Sequence, residues 1–253
     1  MNILEKILNV KRQEIQQIKD LDFGEMVGQS RSLKDALSKP GISVIAEIKM
    51  KSPSEGEIFP NAYPAQIAKG YESAGAAAIS VLTDQSFFGG SLDILQSVRN
   101  AVSIPVIRKD FIIDQKQISE TIHYNGDAFL LIADALDQDS LQQLMNIGKM
   151  EGLEFLVEYH AEKHAEFIFA LNPEIVGINC RNLKTMSTDI TYFEKMISSL
   201  PSNSVKVAES GIQTSDDLEY VSDLGYDAAL IGTSLMKTGN PEKALETLLG
   251  ELS

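Results

Sequence analysis

Residues 44–51 read Val44-Ile45-Ala46-Glu47-Ile48-Lys49-Met50-Lys51 and run directly into Ser52-Pro53-Ser54. The stretch enters as an apolar, β-rich run and leaves through alternating charge. Side chains alternate along a strand, so Glu47, Lys49 and Lys51 share one face. Buried charge is costly unless it is paired or used. An acid and two amines at the mouth of a core therefore suggest a catalytic or anion-binding site at the end of a buried strand.

Working outward, the same kind of run recurs at Ala76–Thr83, Pro105–Lys109, Ala128–Ala133, Glu154–Glu158, Ile175–Asn179, Val205–Glu209 and Ala228–Gly232. Together with Val44–Lys49 these are eight runs whose starts lie about 20–35 residues apart, the length of a βα unit. Between them, apolar residues recur at threes and fours, the helical period. Ala65–Ala74, Leu92–Ala101, Gln115–Tyr124, Ser140–Met150, Ala161–Leu171, Tyr192–Ser199, Ser215–Leu224 and Glu242–Leu249 are the helices this predicts. Eight strands alternating with eight helices in 253 residues point to an α/β fold, a (β/α)8 TIM barrel. A doubly wound open sheet is the alternative, although it usually uses fewer strands. No Gly-x-Gly-x-x-Gly follows the first strand and no phosphate-binding P-loop is present.

Residues 1–43 precede the barrel as an N-terminal helical extension, and residues 44–253 form the barrel; the expectation is one domain. Ile3, Leu4, Ile7, Leu8, Lys11, Ile15 and Ile18 fall at helical spacing, so Asn2–Lys19 reads as an amphipathic helix. Covering core is its expected role, with a lid over the active site as the alternative. Lys11, Arg12 and Lys19 are expected as solvated charges.

Bulk composition narrows the function. Apolar residues make up 43% of the chain, enough for a sizeable core. The net charge of −14 argues against generic binding to nucleic acid or an anionic membrane, both of which need a broad basic surface. An anionic small molecule remains open if a few cations are focused in one pocket. Cys180 is the single cysteine, which leaves no intramolecular disulfide and no cysteine cluster for zinc. Without a signal-like segment or a membrane-length apolar run, the expected location is the cytosol.

In such a barrel the polar residues at the C-terminal ends of the strands line the site. Those ends supply Glu47 and Lys49, then Lys109, Glu158, Asn179 with Arg181, and Glu209. The bland alternative is a ring of structural ion pairs, such as Lys49 with Glu47 and Lys109 with Glu158. The chemistry open to the set is acid–base work without a metal. A buried lysine beside another cation loses basicity and becomes a usable acid, and a glutamate in a partly apolar pocket becomes a base. A lysine could also form a Schiff base with a carbonyl substrate, as in an aldolase. Glu209-Ser210-Gly211-Ile212 and Ile231-Gly232-Thr233-Ser234 place small residues after the last two strands, where barrels often bind phosphate.

Weaker signals are weighed the same way. His160 and His164 lack a third ligand at metal spacing and are expected as a solvated first helical turn. Cys180, next to Asn179, should face away from the barrel interior as packing. Phe87, Phe88 and Phe111 are either core or a clamp for a flat ring.

At this point the motifs resemble those of the indole-3-glycerol-phosphate synthase family of tryptophan biosynthesis. The segments are AEIKMKSPS (46–54), LTDQSFFGGSLDIL (82–95), IPVIRKDFIID (104–114), LLIADAL (130–136), LVEYH (156–160), VGINCRNL (176–183), VAESGI (207–212) and ALIGTSLM (229–236), in the family's order. The resemblance implies a carboxy-lyase that converts 1-(2-carboxyphenylamino)-1-deoxyribulose 5-phosphate to indole-3-glycerol phosphate, CO2 and water, with no cofactor and no metal. It implies Lys109 as the proton donor to the ketone and Lys49 as an anion-binding partner. Glu158 would be the base or proton shuttle, and Glu47 would hold the lysines. Asn179 and Glu209 would orient substrate hydroxyls, with Arg181 and Ser210 contacting substrate. Ser52, Gly211, Gly232 and Thr233 would cradle the phosphate. Pro53, Phe88, Phe111, Leu130 and Leu183 would line the pocket for the aromatic ring. The implied partner is this anionic small molecule, with no nucleic acid and no membrane. The chain is expected as a monomer open to association with other tryptophan-pathway enzymes. Departures from the family pattern, at Cys180, Gln115-Lys116 and Tyr124-Asn125, touch none of the expected catalytic positions.

Overall fold

In the computed structural model, residues 3–18, 30–60, 62–182, 185–250 and 252 are described. Eight strands form one closed, all-parallel barrel in sequential order. They are β1 (Ser43–Ile48), β2 (Ala78–Leu82), β3 (Val106–Lys109), β4 (Ala128–Ile132), β5 (Glu154–Tyr159), β6 (Ile175–Asn179), β7 (Val205–Glu209) and β8 (Ala228–Ile231). Closure pairs β1 with β8 through Ser43↔Ala228 to Ala46↔Ile231, while its other edge pairs with β2 through Ile45↔Ala78 to Ile48↔Val81. All eight predicted runs are strands, with ends that agree to within two residues, and the open-sheet alternative is excluded by closure.

Strand parity sorts the barrel into two cores. Ile45, Ile107, Leu130, Leu156, Val207 and Leu230 point inward and pack together. The opposite parity, including Val44, Ala46, Ile79, Val81, Phe129, Val157 and Ile178, packs outward against the helices. Glu47, Lys109, Glu158 and Glu209 follow inward residues by two and so inherit the inward direction at the C-terminal rim. The intervening helices close with local chemistry. Gln115–His123, for instance, starts with a capping box in which the Asp114 carboxylate and the Gln117 amide each bond the other's backbone N–H.

The N-terminal extension contributes to both ends. The first helix, α1 (Ile3–Gln17), lies at the C-terminal rim: Lys11 reaches Asp84 and Asp110, just past β2 and β3. A short second helix, α2 (Leu33–Leu37), plugs the opposite end, where Leu33 and Leu37 are fully buried among the inward side chains. Carboxylates that precede or open strands tie this plug down. Glu154 accepts from the Ser32 hydroxyl (2.8 Å) and the Lys34 amide (2.9 Å), and Asp127 accepts from the Arg31 amide (2.9 Å). Periodicity did not reveal α2, because five residues are too few to display a helical stripe. The expected ends of the first helix, Asn2 and Lys19, lie outside the described residues. Among the described residues no helix is long and apolar enough to cross a membrane.

Candidate active site

At the C-terminal rim the barrel opens into a cavity of about 450 Å3. Every described residue expected at the site lines it: Glu47, Lys49, Ser52, Pro53, Phe88, Lys109, Phe111, Leu130, Glu158, Asn179, Arg181, Glu209, Ser210, Gly211, Gly232 and Thr233. Leu183, expected on the apolar wall, falls outside the described residues.

Lys109 is the hub. Its Nζ lies 2.5 Å from Glu158 Oε2 and 3.1 Å from Glu209 Oε2, bridging three strand ends. Glu158 and Glu209 are 2% and 1% exposed, so their charges have little water to rely on. Asn179 Nδ2 donates to Glu158 Oε1 at 2.9 Å, and the Arg181 amide holds the Asn179 side chain through its Oδ1. Lys49 pairs with Glu47 Oε1 at 2.6 Å. The two pairs named as structural alternatives therefore both exist, inside the cavity rather than on the outer surface.

Burial acts on these groups in opposed directions. It alone would lower the Lys109 ammonium, but the charges of Glu158, Glu209 and Glu47 outweigh it and push Lys109 well above its ordinary range. The expectation that a buried lysine here loses basicity is thus wrong, because its neighbours are carboxylates rather than a second cation. Burial raises Glu158, yet Lys109, His160 and the Asn179 hydrogen bond overcome it and hold the carboxyl below its usual value. Glu209 goes the other way: burial and the nearby Glu158 charge push it well above the ordinary carboxyl range. The two acids facing Lys109 are thus pushed in opposite directions, Glu209 upward and Glu158 downward.

Two glycines make room for these acids. A Cβ on Gly177 would sit 2.3 Å from Glu209 Oε1, and one on Gly232 would sit 2.5 Å from Glu47 Oε1. Gly232 was expected to cradle phosphate; this space for Glu47 is a further job that the sequence did not reveal. Gly177 was missed altogether, although a glycine inside a strand run signals a close approach. After β7, Ser210 and Gly211 are consecutive left-handed residues (φ 72° and 81°). Ser210 pays a strain of order 1 kcal/mol there, which sharpens the turn on the rim. The short helix Thr233–Met236 starts at Gly232 and faces the same corner.

The apolar wall is Phe88 and Phe111, with ring centroids 6.3 Å apart, together with Pro53, Leu130 and, unexpectedly, Ile3, Leu4 and Ile7 of α1. The first helix thus takes the lid position that was the alternative to plain core cover. Lys11 is correspondingly no solvated charge. It is 4% exposed and ion-paired to Glu14 (2.7 Å), Asp110 (2.9 Å) and Asp84 (3.1 Å). The signal was its place on the apolar stripe with Ile7, Leu8 and Ile15. Arg12 is exposed as expected, while Lys19 lies outside the described residues.

The histidines also depart from expectation. They are mostly buried rather than solvated: His160 Nε2 lies 3.3 Å from Glu158 Oε1 and its Nδ1 lies 3.2 Å from Asp134 Oδ2, while His164 Nε2 is 3.3 Å from Asp134 Oδ1. Cys180 behaves as read. It is buried away from the cavity, its thiol donates to the Ser210 carbonyl at 3.3 Å, and burial pushes it up to about 11. Among the described residues no set of three or more His, Cys, Asp or Glu side chains is placed to hold a metal ion.

Comparison with known proteins finds relatives along nearly the whole chain. The family model described as indole-3-glycerol phosphate synthase matches residues 4–248. A Geobacillus sp. protein of that name is 45% identical over 253 residues, covering 99% of this chain and 98% of the relative. One from Halalkalibacterium halodurans is 44% identical over 252 residues, covering 98% and 97%. Among solved structures, a thiamine phosphate pyrophosphorylase from Pyrococcus furiosus superposes with a TM-score of 0.63 at 14% identity, covering 87% of this chain and 96% of that one. That likeness speaks for the barrel alone.

Proposed function

The chain belongs to the indole-3-glycerol phosphate synthase family, and we propose on that premise that its pocket closes the pyrrole ring of 1-(2-carboxyphenylamino)-1-deoxyribulose 5-phosphate, releasing CO2 and water. The observation that carries the assignment of roles is Lys109 held between buried Glu158 and Glu209 inside the cavity.

In the first step the aromatic carbon bearing the carboxylate attacks the ketone. The new C–C bond forms as the carbonyl π electrons move to oxygen, and a Lys109 N–H proton goes to that oxygen. A lysine held firmly as ammonium is a weak acid, but an alkoxide is a stronger base than an amine, so the transfer is downhill. Its proton is also always in place, because carboxylates surround it. The bond to the carboxylate then breaks, CO2 leaves and its electron pair restores the aromatic ring. In the last step the new hydroxyl leaves as water, with Glu209 as donor and Glu158 as acceptor of the proton lost from the dihydropyrrole. Lys49, steadied by Glu47, offsets substrate negative charge. Ser52, Gly211, Gly232 and Thr233 hold the phosphate at the corner after β7 and β8. Phe88, Phe111, Pro53 and Leu130 clasp the benzoate ring, and Arg181 and Ser210 border it.

The Schiff-base reading is disfavoured by the same geometry. A lysine raised by the buried acids around it, Glu158 first, keeps its proton and loses the lone pair needed to attack a carbonyl. Mixing the folded protein with this substrate should yield indole fluorescence, and borohydride should trap no lysine adduct. Absence of fluorescence, or a trapped adduct on Lys49 or Lys109, would reject the assignment.

A further inference from the structure

The proposed reaction has a proton debt that the pocket must meet. The substrate's carboxylate leaves as neutral CO2, so its charge disappears. At neutral pH the balance is substrate anion plus one proton giving product, CO2 and water. One proton must therefore come in from solvent each turnover, to a cluster whose acids are 1–4% exposed.

The contacts beside Glu158 offer a way in. His160 directly follows β5, two residues beyond Glu158, and borders the same cavity. Its ring stands between two carboxylates, Nε2 toward Glu158 Oε1 (3.3 Å) and Nδ1 toward Asp134 Oδ2 (3.2 Å). An imidazole nitrogen without hydrogen is an acceptor, and a carboxylate is only an acceptor. The Nε2–Oε1 edge is therefore favourable only with a proton on it, carried by the ring or by the carboxyl. Asp134 is fixed in turn. It accepts the His160 backbone N–H at 2.8 Å, and its other oxygen meets His164 Nε2 at 3.3 Å. The two His160 hydrogen bonds, with the nearby His160 and His164 rings, outweigh burial and hold the Asp134 carboxyl below its ordinary value. Burial keeps His164 below its usual range despite the nearby Asp134. Lys163 adds positive charge near His164, and the Tyr192 hydroxyl donates to the His160 carbonyl (2.8 Å), fixing the backbone.

We propose that His160, oriented by Asp134, is the proton relay that brings in from solvent, through Glu158, the one proton that the Lys109–Glu158–Glu209 cluster loses on balance in each turnover. Glu158 first returns to Lys109 the proton it took from the dihydropyrrole; the Nε2–H bond of the doubly protonated His160 ring then breaks, an O–H bond forms on Glu158, and that proton passes on to Glu209. The transfer leaves the ring neutral, with its Nδ1–H on Asp134. After product leaves, water in the open cavity returns a proton to Nε2. His160 is thus a positioning and relay residue that acts through Glu158. The idea rests on the lyase reading above, which supplies the proton debt.

Two measurements test it separately from that reading. In ligand-free protein, 15N NMR of the histidine rings reads the Nε2–Oε1 edge without turnover. Glu158→Gln should move the His160 Nε2 resonance, with the Nδ1 resonance much less affected, and an unchanged Nε2 resonance would overturn the relay. In turnover, His160→Gln should lower kcat about tenfold or more, with KM changed less than threefold, and free imidazole should restore rate to His160→Ala. A kcat within threefold of the parent, a loss confined to KM, or no response of folded His160→Ala to imidazole would each refute it. An inactive parent would instead sink the lyase reading, and the NMR result would still judge the proton-bearing edge.

Discussion

Gly177→Ala probes the site through one methyl group. The added Cβ would lie 2.3 Å from Glu209 Oε1 and 3.3 Å from Leu156 Cδ1. To reach an ordinary contact the carboxyl end must retreat by about 1 Å. Glu209 is long enough to swing away, so the fold should survive with about 1 kcal/mol lost, the scale of a rotamer strained off its well. The Lys109–Glu209 contact of 3.1 Å cannot survive the same swing. Of the two acids paired with Lys109, Glu158 alone is then left within hydrogen-bond reach, and Glu209, the proposed proton donor, is displaced from the reacting atoms. A misplacement of about 1 Å costs on the order of 10²-fold in rate. Fluorescence-monitored turnover should therefore fall by about that factor, while the thermal midpoint drops by only a few degrees. Turnover within threefold of the parent, in a folded variant, would show that the position of Glu209 is immaterial and would remove it from the mechanism.

Lys109→Ala should cut kcat by about 10²-fold or more, the usual scale for a general acid, and a near-normal rate would refute its role. Lys11→Met strips the shared cation from buried Asp84 and Asp110. It should cost about 3 kcal/mol in urea unfolding and raise KM, because Ile3, Leu4 and Ile7 on the same helix border the cavity; unchanged stability would contradict the burial of that charge. Burial raises the Asp110 carboxyl, but Arg108, Lys11 and Thr83 override it and hold it at about 2. A carboxyl depressed in the folded state contributes stability above its unfolded value, and loses it as pH falls toward the folded one. Between about pH 4 and 2 the parent should lose roughly 2 kcal/mol from this group, and Lys11→Met should lose less; equal acid slopes in urea titrations would count against the pairing.

The barrel was legible because its signal is spread over the whole chain: eight β-rich runs at βα spacing leave few alternatives. The rim residues were legible for a related reason. Strand alternation carries Glu47, Lys109, Glu158 and Glu209 inward once Ile45, Ile107, Leu156 and Val207 are known to be core. What escaped depends on which side chains meet across the barrel. The direction of the Lys109 shift turns on three carboxylates from three different strands, and no local pattern encodes their convergence. Lys11 looked solvated because a lone lysine usually is; its partners stand 73 and 99 positions further along the chain. His160 and His164 were judged against metal spacing, whereas their partner, Asp134, comes from the preceding strand's end. Gly177 was readable in principle, since a strand glycine signals that something crosses over it.

The central claim is that a lysine–glutamate pocket couples ring closure to decarboxylation. Substrate carrying 13C in its carboxylate tests this most directly, with labelled CO2 and indole fluorescence followed in the same reaction. One CO2 released per indole formed, with both signals depressed together in Lys109→Ala, is the predicted result. Folded protein that releases no labelled CO2, or that releases it without forming indole, would contradict the account.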